Sequence, residues 1–281
     1  CKGSDLKKVM VIGDVIEDII VIAGANRAPN TDNPSSISAT PGGSGANFAV
    51  WLASLGVSTE LTARVGKADL TRLATYFNSV GVAPNLQSDN QLETGRIVVL
   101  VEGNSRTFFT DRGANQNLDT NSLNLSGFDV LYLSGYSVVT LGLAETQSLI
   151  DSAGRAGALV AIDPGSTSFI EQFGVSNFLS AISGADMIFP NHDEYLQLSS
   201  AANLAEAFPE VIVTKGELGA EVLGVGSVSA ESVGVVDTTG AGDAFAAKYL
   251  ATRLAGEDVA SSLKAANSFA ALSVMKPGGQ P

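Results

Sequence analysis

Hydrophobic and polar positions follow two rhythms along this chain. Short aliphatic runs, apolar at consecutive positions, separate longer stretches in which apolar residues return every three or four places. The first pattern predicts buried strands and the second amphipathic helices. Strands are expected at Lys8–Val15, Asp18–Ala23, Glu60–Val65, Val130–Leu133, Leu159–Ile162, Met187–Phe189 and Val211–Val213. An antiparallel pair is expected at Ala220–Leu223 and Val228–Val236. Helices are expected at Ala46–Leu55, Leu70–Val80, Leu141–Ala153, near Val175–Ile182, at Asp193–Leu198 and Ala201–Ala207, and at Gly242–Leu254 and Val259–Val274. Strands that alternate with helices and are apolar without alternation imply a parallel sheet covered on both faces. The fold class expected is α/β: three layers, doubly wound around a mostly parallel sheet.

Two stretches break the alternation. Gly24–Pro41 is rich in Pro, Asn, Asp and Ser and reads as a surface excursion of short strands and turns. Arg96–Val101 and Arg106–Thr110 flank Glu102-Gly103-Asn104-Ser105, a hairpin pattern. Together, residues of about 18–41 and 95–112 predict a small sheet standing off the main body as a lid over one edge of a pocket. No repeat and no linker divides the chain, so residues 1–281 read as one domain with the lid as an insertion.

Composition narrows the function. Lys and Arg number 16 against 29 Asp and Glu, a net charge of −13. That opposes a nucleic-acid or anionic-membrane partner. An anionic substrate then needs a local positive field, from a helix N-terminus or a metal ion. Cys1 is the only cysteine and is given no role; no internal disulfide or cysteine metal site is available, which fits a reducing cytoplasm. No apolar run reaches the ~18 residues of a membrane span, and no signal peptide is visible. The chain starts without Met, so residues 1 to about 4 are expected to be a remnant or a truncation.

The chemistry concentrates at Val235-Val236-Asp237-Thr238-Thr239-Gly240-Ala241-Gly242-Asp243-Ala244-Phe245. It reads as strand, tight glycine turn, helix. The free N–H groups and positive dipole end of a helix start hold a phosphate. Asp243 sets a carboxylate beside that anion hole, an arrangement suited to phosphoryl transfer onto a hydroxyl. An N-cap Asp behind a structural turn would explain Asp243, but it explains the doubled glycine and the preceding Asp-Thr-Thr less well. In an open parallel sheet, ligands bind beyond the carboxyl ends of the strands. The polar residues expected there are Asp14, Asp163, Asn191, Thr214 and the 237–243 turn. There is no Gly-x-x-x-x-Gly-Lys-Ser/Thr motif and no strand–Gly-x-Gly-x-x-Gly–helix unit, which disfavours a Walker-type nucleotide enzyme or a dinucleotide dehydrogenase.

The whole chain resembles the ribokinase-like (PfkB) carbohydrate kinases. The likeness rests, in order, on Gly13 and Asp18, on Gly42-Gly43-Ser44-Gly45-Ala46-Asn47, on Asn191-His192-Asp193-Glu194, and on Asp237-Thr238-Thr239-Gly240-Ala241-Gly242-Asp243. The resemblance implies an ATP-dependent kinase with a hydroxymethyl acceptor. It makes Asp243 the base and the backbone of Gly240, Ala241 and Gly242 the anion hole. It places Asp18, Gly43 and Asn47, with Gly42 and Asp14 beside them, at the acceptor. Asn191 and Glu194 organise Mg²⁺ and its waters, and His192 is a bystander. Thr214, Gly216 and Gly219 form a nucleotide loop, with Asn267 on the adenine side. Lys215 either meets a phosphate or is solvated. Asp237 and the Thr239 carbonyl, completed by Ser273, Lys276 and Gly278, resemble a site for a monovalent cation such as K⁺.

Two positions depart from ribokinases proper: Ile16 stands where they carry Asn, and Ser44 where they carry Lys. Both touch the sugar pocket, so ribose does not follow. Arg112 or Asp111 contacts a base or carboxylate of the substrate, or else forms an exposed loop ion pair. Tyr136 is expected on the pocket floor. A nucleoside acceptor competes with a sugar, but it needs a roomier, more apolar lid than this lid, read as polar, supplies. An exposed lid sheet can act as a dimer clasp in the family it resembles; the lid edge here is polar and short, which leaves only a lean toward a homodimer through the lid. A non-catalytic binding protein on this fold is the rival of another class, and the intact Asp243 opposes it.

Overall fold

In the computed structural model of the chain, residues 7–24, 28–102, 105–276 and 278–281 are described, so Cys1, the remnant reading of residues 1–4 and the Gly103-Asn104 turn lie outside the described residues. Lys8–Ile12 (β1) shows how the main sheet is built. Val9 and Val11 bury in one core and Met10 and Ile12 in a second, on the opposite face. A strand covered on both sides must be apolar throughout, and this one is.

The chain continues as β2 (Ile16–Ala23), β3 (Ser35–Gly42), α1 (Ser44–Ser54), β4 (Ser58–Gly66), α2 (Leu70–Ser79), β5 (Val82–Asp89), β6 (Thr94–Glu102) and β7 (Ser105–Gly113). Then follow β8 (Val130–Ser134), α3 (Gly135–Ala156), β9 (Leu159–Asp163), α4 (Thr167–Phe173), α5 (Val175–Ala181), β10 (Met187–Ile188), α6 (His192–Ser199) and α7 (Leu204–Ala207). The last are β11 (Glu210–Thr214), β12 (Ala220–Val222), β13 (Gly226–Val228), α8 (Ala241–Leu254) and α9 (Val259–Ser273). The main sheet runs β13-β12-β11-β10-β9-β8-β1-β4-β5 and is parallel except at β11-β12-β13. Phe48, Phe77, Phe245 and Leu263 from α1, α2, α8 and α9 fill one core. Val138, Ile170, Phe178, Leu198 and Leu204 from α3 to α7 fill the other. This is the three-layer, doubly wound arrangement the alternation predicts.

A second sheet, ordered β3-β2-β6-β7, joins the early excursion to the hairpin. β2 pairs β6 in parallel and the outer pairs are antiparallel. No helix among the described residues is long and apolar enough to cross a membrane.

The structure departs from the expected elements in several places; α4 has no counterpart among the predicted helices, and α7 covers only the second half of the helix expected at Ala201–Ala207. β1 ends at Ile12, and Val15 pairs instead with the Asn115 side chain, which accepts from its N–H (3.1 Å) and donates to its carbonyl (2.9 Å). β5 has no counterpart among the predicted strands. It is polar, carries Pro84 and lies at the sheet edge, where proline is tolerated and no apolar run is needed. α3 starts at Gly135 rather than Leu141, and Gly142 (φ 77°) breaks it into two helical pieces, of which only the second was expected. The expected strand Val228–Val236 stops at Val228. Val235 and Val236 are 61% and 59% exposed, and the N–H groups of Val236 and Asp237 both donate to the Val274 carbonyl.

Candidate active site

Three cavities meet at the turn between the 229–240 loop and α8. A cavity of about 730 Å³ runs along Thr214, Gly216, Gly219, Val235, Asn267 and Val274. One of about 510 Å³ lies beneath the second sheet, against Asp14, Asp18, Gly43, Asn47, Arg112 and Tyr136. A smaller one of about 240 Å³, walled by Asp163, Asn191 and Glu194, sits between them. Ala241 and Gly242 border the small cavity and the largest, while Gly240 and Asp243 border the small cavity and the one under the sheet. This explains the exposed valine pair: Val235 walls one large cavity and Val236 the other.

Local chemistry fixes the turn. Asp237 Oδ1 accepts from the Thr239 N–H (2.9 Å) and hydroxyl (2.7 Å), and Oδ2 from the Gly278 N–H (3.0 Å). Gly240 adopts φ 71°, and a Cβ there would fall 2.5 Å from the Gly279 carbonyl, so glycine is needed for both conformation and space. The Ala241 N–H reaches the Thr238 carbonyl at 3.3 Å. The next amides of the first helical turn have no intrahelical acceptor.

Asp243 lies in the first turn of α8, and its Oδ1 accepts from the Ser44 hydroxyl (3.1 Å). Burial pushes its pKa well above the usual carboxylate range. The Asp163 charge adds to this, while Ser44 and Asn47 pull it down. Burial also raises Asp163, and it raises Glu194 with help from the Asp163 charge. Three carboxylates held against repulsion around one small cavity suit a cation and its waters. Even so, no cluster of three or more His, Cys, Asp or Glu arranged to hold a metal ion occurs among the described residues.

Asn191 and Glu194 form a reciprocal cap at the start of α6. The Glu194 N–H donates to Asn191 Oδ1 (2.9 Å), the Asn191 N–H to Glu194 Oε2 (2.9 Å), and Asn191 Nδ2 to Glu194 Oε1 (2.6 Å). Both residues nonetheless face the small cavity. His192 is exposed. Asn267 Nδ2 donates to the Ser229 carbonyl (2.9 Å) on the wall of the largest cavity. Lys215 is ion-paired with Glu221 (2.8 Å). Ser273 donates to the Ala270 carbonyl (2.9 Å), and Lys276 is exposed.

Under the second sheet, Asp18 has its pKa raised to about 6 by burial. Gly42 faces it: a Cβ at 42 would lie 2.1 Å from Asp18 Oδ2. Asn47 is buried. Arg112 forms no exposed loop pair. Its Nη2 donates to both Asp14 oxygens (2.8 and 3.0 Å), and its Nη1 to the Tyr136 carbonyl (3.0 Å) and the Thr140 hydroxyl (2.8 Å). The guanidinium lies 5.7 Å from the ring centroids of both Tyr136 and Phe169. Burial raises the Asp14 pKa against the pull of Arg112. Asp111 is exposed, accepts from the Gly113 N–H (2.9 Å) and is absent from the cavity wall.

The expectation of a polar lid is corrected. Alternation along β2 and β6 turns Ile16, Ile20, Ile22, Ile97, Val99 and Val101 toward the cavity, joined by Phe108 from β7. The polar count came from β3 and the turns, which are largely exposed, although Ser38 of β3 also lines the cavity. Sequence reasoning also passed over Ser44 as a partner of Asp243, and over Gly279 and Gln280. The period-two pattern of β2 was the available signal for the inner face; nothing local marked the other two.

The pfkB family carbohydrate kinase model matches residues 6–281. The chain is 30% identical over 291 residues to an ATP-dependent ribose-1-phosphate kinase of Halopiger xanaduensis, across 97% of this chain and 94% of that protein. It is 28% identical over 310 residues to the bifunctional protein HldE of Rhodopseudomonas palustris, across 97% of this chain, which spans only 61% of that relative's length. Among solved structures it is similar to an Escherichia coli protein provisionally called ribokinase II, in complex with ATP and Mg²⁺. The TM-score is 0.84 with 23% identity, over 98% of this chain and 94% of that one. At that identity the likeness is one of fold.

Proposed function

This chain belongs to the pfkB family of carbohydrate kinases, and from that premise we propose that it transfers the γ-phosphoryl group of ATP to a hydroxymethyl group of a sugar or sugar-like molecule. The observation that carries the reading is the position of the Gly240–Asp243 turn, where the three cavities join. The largest cavity has the size and lining for a nucleotide, with Thr214, Gly216, Gly219 and Asn267 around it. The acceptor lies under the second sheet, which serves as its lid, against Asp18, Gly43, Asn47 and the Asp14–Arg112 pair. Gly42 contributes the space that Asp18 occupies.

The acceptor oxygen forms a bond to the γ-phosphorus as the bond to the ADP oxygen breaks, and its proton passes to Asp243. A carboxylate serves late in such a step, once the hydroxyl is partly bonded to phosphorus. Asp243's raised pKa brings it closer to the proton it receives. Gly240, Ala241 and Gly242, at the positive end of α8, stabilise the charge on the transferring group. Asp163, Glu194 and Asn191 would hold Mg²⁺ through its waters, since this ion leans on few protein ligands and on phosphate oxygens. When bound, it neutralises phosphate charge. Asp237 and the Thr239 carbonyl, with Ser273, Lys276 and Gly278, would hold K⁺. The Gly278–Asp237 bond, which draws the C-terminal loop to that carboxylate, supports this. A homodimer through the lid is supported by Ile37, 67% exposed on its edge strand.

One observation favours a second acceptor class. The aliphatic inner face of the lid has little to offer a bare monosaccharide and suits a nucleoside, whose base is flat and largely apolar. ADP release measured with ribose, fructose, ribose 1-phosphate, adenosine and uridine tests both readings. Turnover with any of them supports the kinase, and preference for the nucleosides selects the second class. Silence with all five, while ATP still binds, would count against phosphoryl transfer.

A further inference from the structure

The C-terminal residues 278–280 are built into the acceptor side of the site. The Gly279 carbonyl accepts from the Trp51 indole N–H (2.8 Å). Gln280 Nε2 donates to the Pro41 carbonyl (3.0 Å) and to Asn47 Oδ1 (3.0 Å), and its Oε1 accepts from the Tyr76 hydroxyl. One side chain thus ties β3, α1 and α2 together from a position more than 200 residues away in sequence.

The donors and acceptors leave one consistent arrangement. A backbone carbonyl accepts only, so the Pro41 oxygen requires the NH₂ end of Gln280. That same NH₂ then faces Asn47 and requires its amide oxygen. The amide nitrogen of Asn47 is left free of that bond, and Asn47 and Asp243 line the same cavity under the second sheet, where Asn47 helps to hold the Asp243 pKa down. An ionised carboxylate also only accepts. Orientation therefore passes from Pro41 through Gln280 to Asn47. Without Gln280 the Asp243 carboxylate alone would favour this orientation, and the Asn47 amide would be held from one side instead of two.

We propose that Gln280 is a positioning residue for the acceptor: it holds the Asn47 amide with nitrogen toward Asp243 and the bound hydroxyl. The proposal rests on the reading of Asn47 as an acceptor ligand. Gln280→Met removes the hold with little change in volume. Gln280→Glu reverses it, because a carboxylate at 280 would draw the Asn47 nitrogen to itself.

With whichever of ribose, fructose, ribose 1-phosphate or adenosine turns over, Gln280→Met is expected to raise the acceptor KM about tenfold, the scale of one lost hydrogen bond. Gln280→Glu should raise it further. The KM for ATP should stay within about twofold of wild type, unlike a general loosening of the fold. Added to Asn47→Ala, Gln280→Met should change nothing more, since coupled residues are not additive. A second readout needs no substrate: side-chain amide exchange of Asn47, followed by NMR, should speed up about tenfold in Gln280→Met and also, less strongly, in Tyr76→Phe. Equal effects of Gln280→Met with and without Asn47, or an unchanged acceptor KM, would overturn the proposal. If all acceptors are silent with wild type, the kinase reading fails and the exchange rates decide alone: acceleration supports the positioning role and unchanged rates refute it.

Discussion

A methyl group at position 42 would land 2.1 Å from Asp18 Oδ2. Gly42 is not at a positive φ, so alanine fits its backbone and the whole effect of Gly42→Ala falls on the Asp18 carboxylate. The expected outcome is a rise in acceptor KM of at least tenfold with the KM for ATP unchanged, read by steady-state kinetics. Equal changes in both constants would contradict the assignment of Asp18 to the acceptor. At this scale the sequence was most informative where a residue type has few uses. A carboxylate next to a doubled glycine suggests its chemistry without coordinates, whereas Asp18 stood out only through the family resemblance. Ser44 was noticed only as a departure from lysine, because its bond to Asp243 spans 199 positions. Gln280 carried no reading at all for the same reason, since its partners lie 204 to 239 positions away.

Among the elements, the second sheet is tied to the main one by a buried ion pair. Arg112 at the end of β7 holds Asp14 just beyond β1, and their side chains are 11% and 3% exposed. Removing one partner leaves an uncompensated buried charge, which commonly costs about 3–5 kcal/mol. Arg112→Met should therefore lower stability by about that amount in urea unfolding. Asp14→Leu/Arg112→Met should recover most of it, since an apolar pair of similar volume is tolerated. A loss under 1 kcal/mol for the single variant would mean that the pair is open to water. Most elements were legible, because a strand buried on both faces must be apolar and a helix covering it must show a stripe. Edge strands escape that rule. β5 and β3 need no apolar run, so one was missed and the other read as fragments. The reverse error, a strand through Val235 and Val236, arose because β-branched residues line a cavity as readily as a sheet. The polar reading of the lid failed because composition was averaged over two faces that differ.

For the molecule as a whole, the acidic balance has a direction in pH. Asp18 ionises near 6 in the fold, against an ordinary value of 3.8. Between those values the folded state keeps a proton that the unfolded chain has released, so stability falls as pH rises through about 4 to 6. Asp163, raised to about 6, deepens the fall over the same range, and Glu194, raised to about 8, extends it to higher pH. Asp89 works oppositely: the N–H groups of Leu92 and Gln91 and the Asn117 amide hold it well below the usual range, so its contribution is lost in acid. The metal-free protein is therefore expected to melt at a lower temperature at pH 8 than at pH 5. Millimolar Mg²⁺ should raise the melting temperature more at pH 8, where the carboxylates around the small cavity are ionised, than at pH 5. A shift independent of pH would place the ion away from that cluster. The overall architecture was readable from the strand–helix alternation. The junction of the three cavities was not, because it depends on how segments far apart in sequence are brought to one turn.

The most direct test of the account concerns the proton acceptor. Transfer of ³²P from labelled ATP to the preferred acceptor, followed for wild type and Asp243→Asn at matched pH, with ATP affinity measured by calorimetry, isolates the chemical step. The account predicts that turnover falls by at least ~10²–10³-fold, the scale of losing one group that acts in the transition state, while ATP affinity stays within about threefold. Turnover by Asp243→Asn at the wild-type rate would contradict it.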